Sequence, residues 1–360
     1  MQYLCERTKN GRKISRVFGY DSIVEIPERL MGETVTELGD YVFSDRMDPK
    51  ELEEALRRGN LCTEEGKTVE SVDKLPEIAG PDLEELILPK SIEKTGRYAF
   101  YNCRNLKKLS FGGALRDLGA GALTGCHQVS ELTVRLGEND RSCLREILTE
   151  LPETLCVKIE EKEQKGCFWF PEFCEEGVEN TPARILENHV HGSGIRYRNC
   201  FQNRVLNTGE YDEIFPYAIA WEKEQVVLRL ALGRVLFPLR LTEKAQEKYL
   251  VYLREHSVHA AELLGREKEY QLLERLLELL QPDRETIEKL LEIAQRQEDP
   301  QWTGILMERL GSLGKKKRRS FELYKKKGQI WRKNTGINTG ILYMNKEKRK
   351  RRFWISVRRF

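Results

Sequence analysis

The residues that could do chemistry are concentrated between Cys167 and Cys200. This stretch holds the pair His189 and His191 together with Cys167, Cys174 and Cys200. Zinc binds four nitrogen or sulfur ligands in a tetrahedron, and paired cysteine ligands usually stand close together in sequence. Here no Cys-x-x-Cys pair occurs, and Cys167 and Cys174 are well separated. We therefore predict no metal and no cofactor, and we interpret these residues as loop histidines and buried thiols.

The same stretch contains a candidate loop for an anionic ligand. Gly192-Ser193-Gly194 precedes Arg196 and Arg198, and backbone amides and guanidinium groups both suit phosphate or carboxylate. The Gly-Lys-Ser/Thr ending of a Walker loop and the Gly-x-Ser-x-Gly elbow of a nucleophilic serine are absent. A ligand loop therefore competes with a plain structural turn, and we expect no enzyme activity. The candidate ligand residues are His189, His191, Arg196 and Arg198.

The sharpest electrostatic feature is the C-terminal tail. Residues 315–360 contain 18 Lys or Arg and two acids, whereas the rest of the chain holds 43 bases and 56 acids, so the net charge of +3 combines an acidic body with a basic tail. A basic cluster of this kind binds phosphate-rich surfaces without specificity. A disordered solubilising tail, a positive end to the last helix, and an adventitious extension from Tyr324 are the alternatives. The cluster consists of Lys315, Lys316, Lys317, Arg318 and Arg319.

A repeated unit precedes these residues in the chain. Self-similarity at a period of roughly 20–29 residues is typical of leucine-rich repeats, whose units cannot bury their apolar face alone and stack on one another. Weaker copies cover 15–45 and start again at Val129 and Leu132. The two clear copies follow each other directly and align Leu83, Leu86, Ile92, Gly96, Ala99, Phe100 and Cys103 with Leu106, Leu109, Leu115, Gly119, Ala122, Leu123 and Cys126.

Each unit is predicted to be a strand, a turn and a compact return. Pro89 ends the strand because it has no N–H to donate to a ladder. Gly96 and Gly119 suit a tight or positive-φ position. Cys103 and Cys126 are interpreted as small buried hydrophobic residues rather than reactive thiols.

The segment "LEELILPKSIEKTGRYAFYNCRNLKKLSFGGALRDLGAGALTGC" resembles the BspA-type leucine-rich repeat. The resemblance is specific over 83–126 and weaker over 15–45 and 129–158. It implies a right-handed solenoid with one strand per turn. Members of the family are often bacterial, frequently displayed at the surface, and implicated in binding proteins or host ligands. This chain departs from that pattern because it has few repeats and a long helical C-terminal half.

Composition favours a soluble cytoplasmic protein. Hydrophobic residues make up 39% and charged residues 33%, and no apolar run is long enough to predict a transmembrane helix. The N-terminus has no apolar region typical of a signal peptide, so surface display would require an incomplete N-terminus. The nine scattered cysteines favour reduced thiols over a disulfide framework.

The predicted fold is an α+β repeat protein. It comprises a short leucine-rich solenoid, an all-α helical-hairpin domain in which Thr242 and Asp283 are N-caps, and a disordered basic tail. The predicted segments are a repeat domain at 1–159 with an inserted helix near 48–60, an aromatic and Gly-rich junction at 160–209, ankyrin-like or α-solenoid helices at 210–314, and the tail at 315–360.

The predicted function is non-catalytic protein binding on the repeat surfaces, with an unknown protein partner. One alternative is binding of nucleic acid or an anionic membrane through the tail. A second is a ligand-binding or catalytic site within residues 167–200.

Overall fold

A computed structural model describes residues 1–70, 75–137, 141–180 and 185–313. The chain divides into two compact units, Met1–His256 and Ser257–Phe360. The strands are β1 (Gln2–Arg7), β2 (Arg12–Phe18), β3 (Ile23–Glu25), β4 (Arg29–Leu30), β5 (Glu33–Leu38), β6 (Asn60–Thr63), β7 (Glu85–Ile87), β8 (Lys94–Thr95), β9 (Lys108–Gly112), β10 (Glu131–Leu136), β11 (Leu155–Glu161), β12 (Gln164–Phe170), β13 (Cys174–Asn180), β14 (Ile185–His191), β15 (Phe201–Gln202) and β16 (Val205–Leu206).

The helices are concentrated in the C-terminal part of the described chain. In the described ranges, no helix is long and apolar enough to cross a membrane. The helices are α1 (Pro49–Arg58), α2 (Leu144–Glu150), α3 (Gly194–Arg198), α4 (Thr208–Glu213), α5 (Phe215–Trp221), α6 (Glu224–Leu236), α7 (Glu243–Glu255), α8 (Ser257–Arg266), α9 (Tyr270–Leu280) and α10 (Arg284–Arg296), followed by helical residues 300–313.

The repeats form a parallel ladder in the sheet ordered β12-β11-β10-β9-β7-β3. Leu86 is level with Leu109, and Leu109 with Leu132, so the pairing register equals the spacing of the sequence repeat. These leucines are buried on one face, while Glu85, Lys108 and their equivalents alternate with them on the other. A strand buried on one face requires this period-2 pattern, and the repeat therefore sets the register.

The glycines of the return segment allow neighbouring turns to approach closely. A Cβ on Gly119 would lie 2.1 Å from the carbonyl oxygen of Gly96, and a Cβ on Gly96 would lie 2.3 Å from the nitrogen of Asp40. Neither glycine has a positive φ, so of the two predicted alternatives the structure shows the tight position and not the positive-φ one. The positive-φ position comes two residues later, at Tyr41, Tyr98 and Gly121.

The buried cysteines of the repeat form hydrogen bonds to the backbone of the preceding turn. The Cys103 thiol donates to the carbonyl of Phe43 at 3.3 Å, and the Cys126 thiol to that of Phe100 at 3.0 Å. Both cysteines are buried, and the neighbouring Cys126 thiol together with burial raises the pKa of Cys103 far above its ordinary value. The prediction that these cysteines pack rather than react agrees with this arrangement.

A second sheet at the N-terminus departs from the stacked repeats predicted for 1–159. Its order is β4-β5-β2-β1-β6, with β8 also paired to β5. β1 pairs antiparallel with β2 and β6, whereas β2 and β5 are parallel. The inserted helix is present as α1, where Asp48 caps the first turn by accepting from the N–H of Lys50. The described fold is therefore mixed α+β, with a parallel ladder joined to a mixed sheet.

The last strand of the ladder is covered by helices. β12 pairs antiparallel with β11 across the turn at Lys162 and Glu163. A Cβ on Gly233 of α6 would lie 2.8 Å from the Cys167 carbonyl, so α6 packs directly on β12. The Tyr211 hydroxyl donates to the Trp169 carbonyl at 2.6 Å. An uncovered end strand would invite pairing with other chains, and these helices prevent that.

A buried ion pair joins the helices of the first unit. Arg234 of α6 donates to both carboxylate oxygens of Asp212 in α4, at 2.7 and 2.9 Å, and Tyr249 of α7 donates to the same carboxylate at 2.9 Å. A buried charge pair is tolerable when its remaining hydrogen-bonding groups are satisfied, and Arg234 also donates to the carbonyl of Leu239. The helices α4, α6 and α7 are thereby fixed to one another.

The described part of the second unit, residues 257–313, contains helical hairpins with matching turns. Lys268 and Glu298 both adopt positive φ, each in the turn that follows a helix. Trp302 is fully buried against Gly265, where a Cβ would lie 2.5 Å from the ring. Thr242 in the first unit and Asp283 in the second cap α7 and α10 as predicted. The division into units falls between His256 and Ser257, inside the 210–314 range for which the sequence predicts one domain.

Candidate interaction surface

The predicted ligand residues do not act as one group where the structure describes them. His191 ends β14 opposite Cys174, and His189 lies level with Glu176, but the side chain of His189 lies outside the described part of the structure. Arg196 and Arg198 stand two residues apart on α3 and enter different environments, one exposed and one buried.

Arg198 has a structural role and is not available to bind a ligand. Its guanidinium donors are all directed at backbone carbonyls, which leaves none for an anion. Burial lowers the pKa of this guanidinium to about 10, because a charge without water is less stable. This corrects the expectation for Arg198. The acceptors are the carbonyls of Leu148, Leu151, Glu153, Pro171 and Gly194.

The predicted anion loop already binds an internal carboxylate. An oxygen of Glu222 accepts from the backbone N–H of Ser193 at 2.6 Å. Glu222 directly follows the last residue of α5 and caps that helix by donating its own N–H to the Ala218 carbonyl. The loop therefore anchors α5.

Among the helices described in the first unit, α5 has the most exposed large apolar side chains. Only Phe215 and Ala218 of its seven residues are buried. Trp221 is 62% exposed, Tyr217 52% and Ile219 47%, and Pro216 and Ala220 are exposed beside them. We call Pro216, Tyr217, Ile219, Ala220 and Trp221 the α5 surface.

The local sequence explains why α5 presents these side chains outward. Pro216 suits the first turn of a helix, where no N–H bond is lost. The Phe215 ring packs 4.3 Å from the Tyr249 ring and 5.6 Å from the Tyr252 ring, centroid to centroid. A helix this short has one buried stripe, here positions 215 and 218, so the remaining apolar residues face solvent.

Arg196 extends the α5 surface. Its guanidinium carbon lies 5.0 Å from the centre of the Tyr217 ring, which is within the range of a cation–π contact. Tryptophan, tyrosine and arginine are the residue types that dominate binding energy at protein interfaces. Arg196, Tyr217 and Trp221 place all three on one surface.

The outer face of the repeat ladder is charged, whereas the α5 surface is apolar. Its charged side chains pair with each other from one repeat to the next, so the face is largely self-complementary. Surface pairs of this kind are well solvated and contribute little to stability or binding. The pairs are Glu84–Lys107 at 3.1 Å, Glu85–Lys108 at 3.6 Å and Glu131–Lys158 at 2.7 Å.

Other predicted sites lie elsewhere. Cys167 and Cys200 are buried and Cys174 is exposed. Within the described ranges, no group of three or more His, Cys, Asp or Glu residues is placed to hold a metal ion. The tail cluster Lys315, Lys316, Lys317, Arg318 and Arg319 lies outside the described residues, and its binding of phosphate-rich surfaces stays a prediction.

Comparison with known proteins identifies the repeats. Residues 79–146 match the family described as BspA type Leucine rich repeat region (6 copies). Neither the curated proteins nor the solved structures give a match. Residues 79–146 are therefore a BspA-type leucine-rich repeat region, and this family suggests a role in protein interaction.

Proposed function

We propose that this chain is a non-catalytic protein-interaction scaffold whose binding surface is the α5 surface. In this proposal the leucine-rich repeats form a short solenoid, and the helices packed on its last strand carry the site. The observation that carries the proposal is the exposure of Tyr217, Ile219 and Trp221 on one short helix.

The free energy gained by covering the α5 surface favours a protein partner. Exposed apolar surface is unfavourable in water at roughly 25 cal/mol per Å², so covering a tryptophan and a tyrosine is worth about 2 kcal/mol each. Clustered apolar exposure beside polar residues is typical of binding sites on soluble proteins. The large exposed residues on the repeats, such as Ile23, do not share a helix with others in this way.

The anchoring of α5 supports the same conclusion. Phe215 packs between two tyrosine rings, and Glu222 is hydrogen-bonded to the Ser193 loop. A surface that is already ordered loses little conformational entropy when a partner binds. The proposal contains no chemical step, because Arg198 and the Ser193 N–H hold the fold together.

The test is a comparison of captured proteins from native lysate. The full-length chain is compared with the double variant Y217A/W221A, with Y20A as the matched control, because Tyr20 is 77% exposed and lies before β3. We expect partners held by the full-length chain and Y20A to be lost with Y217A/W221A. Partners held equally by all three chains would overturn the proposal.

A chain ending at Gly314 separates the tail from the body. We expect it to keep the same partners as the full-length chain. Loss of every partner on this truncation, with sensitivity to nuclease and salt, would assign binding to the tail.

A further inference from the structure

We infer that the segment bound by the α5 surface is acidic as well as apolar, with Arg196 pairing with one of its carboxylates. This inference rests on the proposed function, because it names the chemistry of the partner at the same surface. The inference is drawn from the charged side chains on either side of α5.

Arg196 contacts one aromatic ring, and its side chain is otherwise exposed. The guanidinium lies over Tyr217, and no carboxylate among the described residues forms an ion pair with it. In contrast, Arg204 of the same unit pairs with Glu146 at 2.8 Å. Guanidinium groups are weakly hydrated and present a planar fork that matches a carboxylate with two parallel hydrogen bonds.

A second cation stands at the other end of the surface. Lys223 is exposed, directly follows the cap of α5, and has no ion pair with the described residues. Glu222, which lies between Trp221 and Lys223, turns its carboxylate to the Ser193 N–H. The acid nearest to Trp221 in sequence is thus engaged internally, while the flanking cations are open to a partner.

The spacing on α5 determines what must accompany the carboxylate. Tyr217, Ala220 and Trp221 are at i, i+3 and i+4, so they share one face of the helix. The small Ala220 lets a partner side chain approach between the two rings. Large apolar side chains next to an Asp or Glu therefore fit the surface, whereas a basic partner would meet two like charges.

The experiment uses a phage-displayed library of random dodecapeptides as the probe. The full-length chain is panned with soluble heparin in excess, because the basic tail would otherwise select acidic peptides by itself. Selected peptides are synthesised, and their affinities are measured for wild type, R196Q, R196K and W221A at low and high salt. Arg196 is exposed and contacts the exposed Tyr217 ring, so R196Q and R196K leave the buried core unchanged.

The expected result is enrichment of Asp or Glu next to large apolar residues. W221A is expected to weaken these peptides by about tenfold or more. R196Q is expected to weaken them by about fivefold, R196K by less, and high salt should reduce the difference between wild type and R196Q.

Three other outcomes overturn the inference and are distinguishable. Peptides that need Trp221 but bind R196Q as well as wild type leave the proposed function intact and remove the role of charge. Peptides that bind every variant equally are bound by the tail. Failure to select any peptide that depends on Trp221, together with self-association of wild type that is lost in W221A, would make a second copy of the chain the occupant.

Discussion

Replacing Gly119 by alanine should separate two turns of the repeat ladder. The added Cβ would lie 2.1 Å from the Gly96 oxygen and 2.5 Å from the Arg97 nitrogen. These are backbone atoms that cannot rotate away. Contacts under 3.0 Å essentially never occur for a real Cβ, so the turns must separate by about 1 Å.

The cost follows from the hydrogen bonds that join these turns. The Tyr98 N–H donates to the Ala120 carbonyl at 3.2 Å, and the Thr95 N–H to the Asp117 carbonyl at 2.9 Å. A net loss of about 1 kcal/mol for each of the two hydrogen bonds, added to about 1–3 kcal/mol for overpacking, predicts a loss of about 3–5 kcal/mol in the free energy of unfolding.

The assay is native-state hydrogen exchange of peptides covering residues 94–98, which contain the donor amides of Thr95 and Tyr98 and so report the opening of this junction between turns. Gly113→Ala is the matched control, because its Cβ would lie 3.4 Å or more from its neighbours, at ordinary contact. The control should change stability by less than about 1 kcal/mol. Equal effects of G119A and G113A would refute the close-approach account of the glycines.

Three further predictions concern buried donors, thiols and helix caps. R198M leaves several buried carbonyls without donors, so it should lower the unfolding free energy by about 3 kcal/mol or more in urea denaturation. Burial raises the pKa of Cys143 to about 12, so iodoacetamide at pH 8 should modify the exposed Cys174 in the native chain and leave Cys143 unmodified. Hydrogen bonds from the N–H groups of the first helical turn lower the pKa of Asp283 and Asp299; their stabilisation is therefore complete above the ordinary pKa of about 4 and is lost as pH falls through the lowered native pKa. In thermal unfolding, D283N/D299N should flatten that acid dependence because asparagine also caps helices.

Each of these predictions has a control. R196M changes an exposed arginine on the same helix as Arg198 and should cost about 1 kcal/mol or less; a similar loss for both variants would contradict the role given to Arg198. Cys143 should react after unfolding in urea, and labelling as fast as that of Cys174 in the native chain would contradict its burial. An unchanged acid dependence in D283N/D299N would show that other groups control it.

The sequence predicted the ladder because its signal is periodic. The regular spacing of Leu86, Leu109 and Leu132 became the strand register, and the caps Thr242 and Asp283 were recognisable from residue type. For Gly96 the sequence left two roles open, a tight position or a positive φ, because residue type does not distinguish them. The pairing of β1 with β6 joins segments that are distant in sequence, with Leu4 opposite Leu61, and no local pattern reveals such a contact.

The proposed α5 surface was not predicted from the sequence, apart from the neighbouring Arg196. Arg196 was a candidate, and the 167–200 junction was recognised as unusual. The run Phe215 to Trp221 is apolar at almost every position, which resembles a buried segment. Its exposure depends on Phe215 filling the space between Tyr249 and Tyr252, and these contacts are not encoded in the run itself.

The most direct test of the central claim is hydrogen exchange on the complex of the full-length chain with a captured partner. The account predicts that binding slows exchange in peptides covering Phe215–Trp221 and Gly194–Arg198, with no change in Glu131–Leu136 of the ladder. Protection confined to the ladder strands, with α5 exchanging as fast as in the free chain, would contradict it.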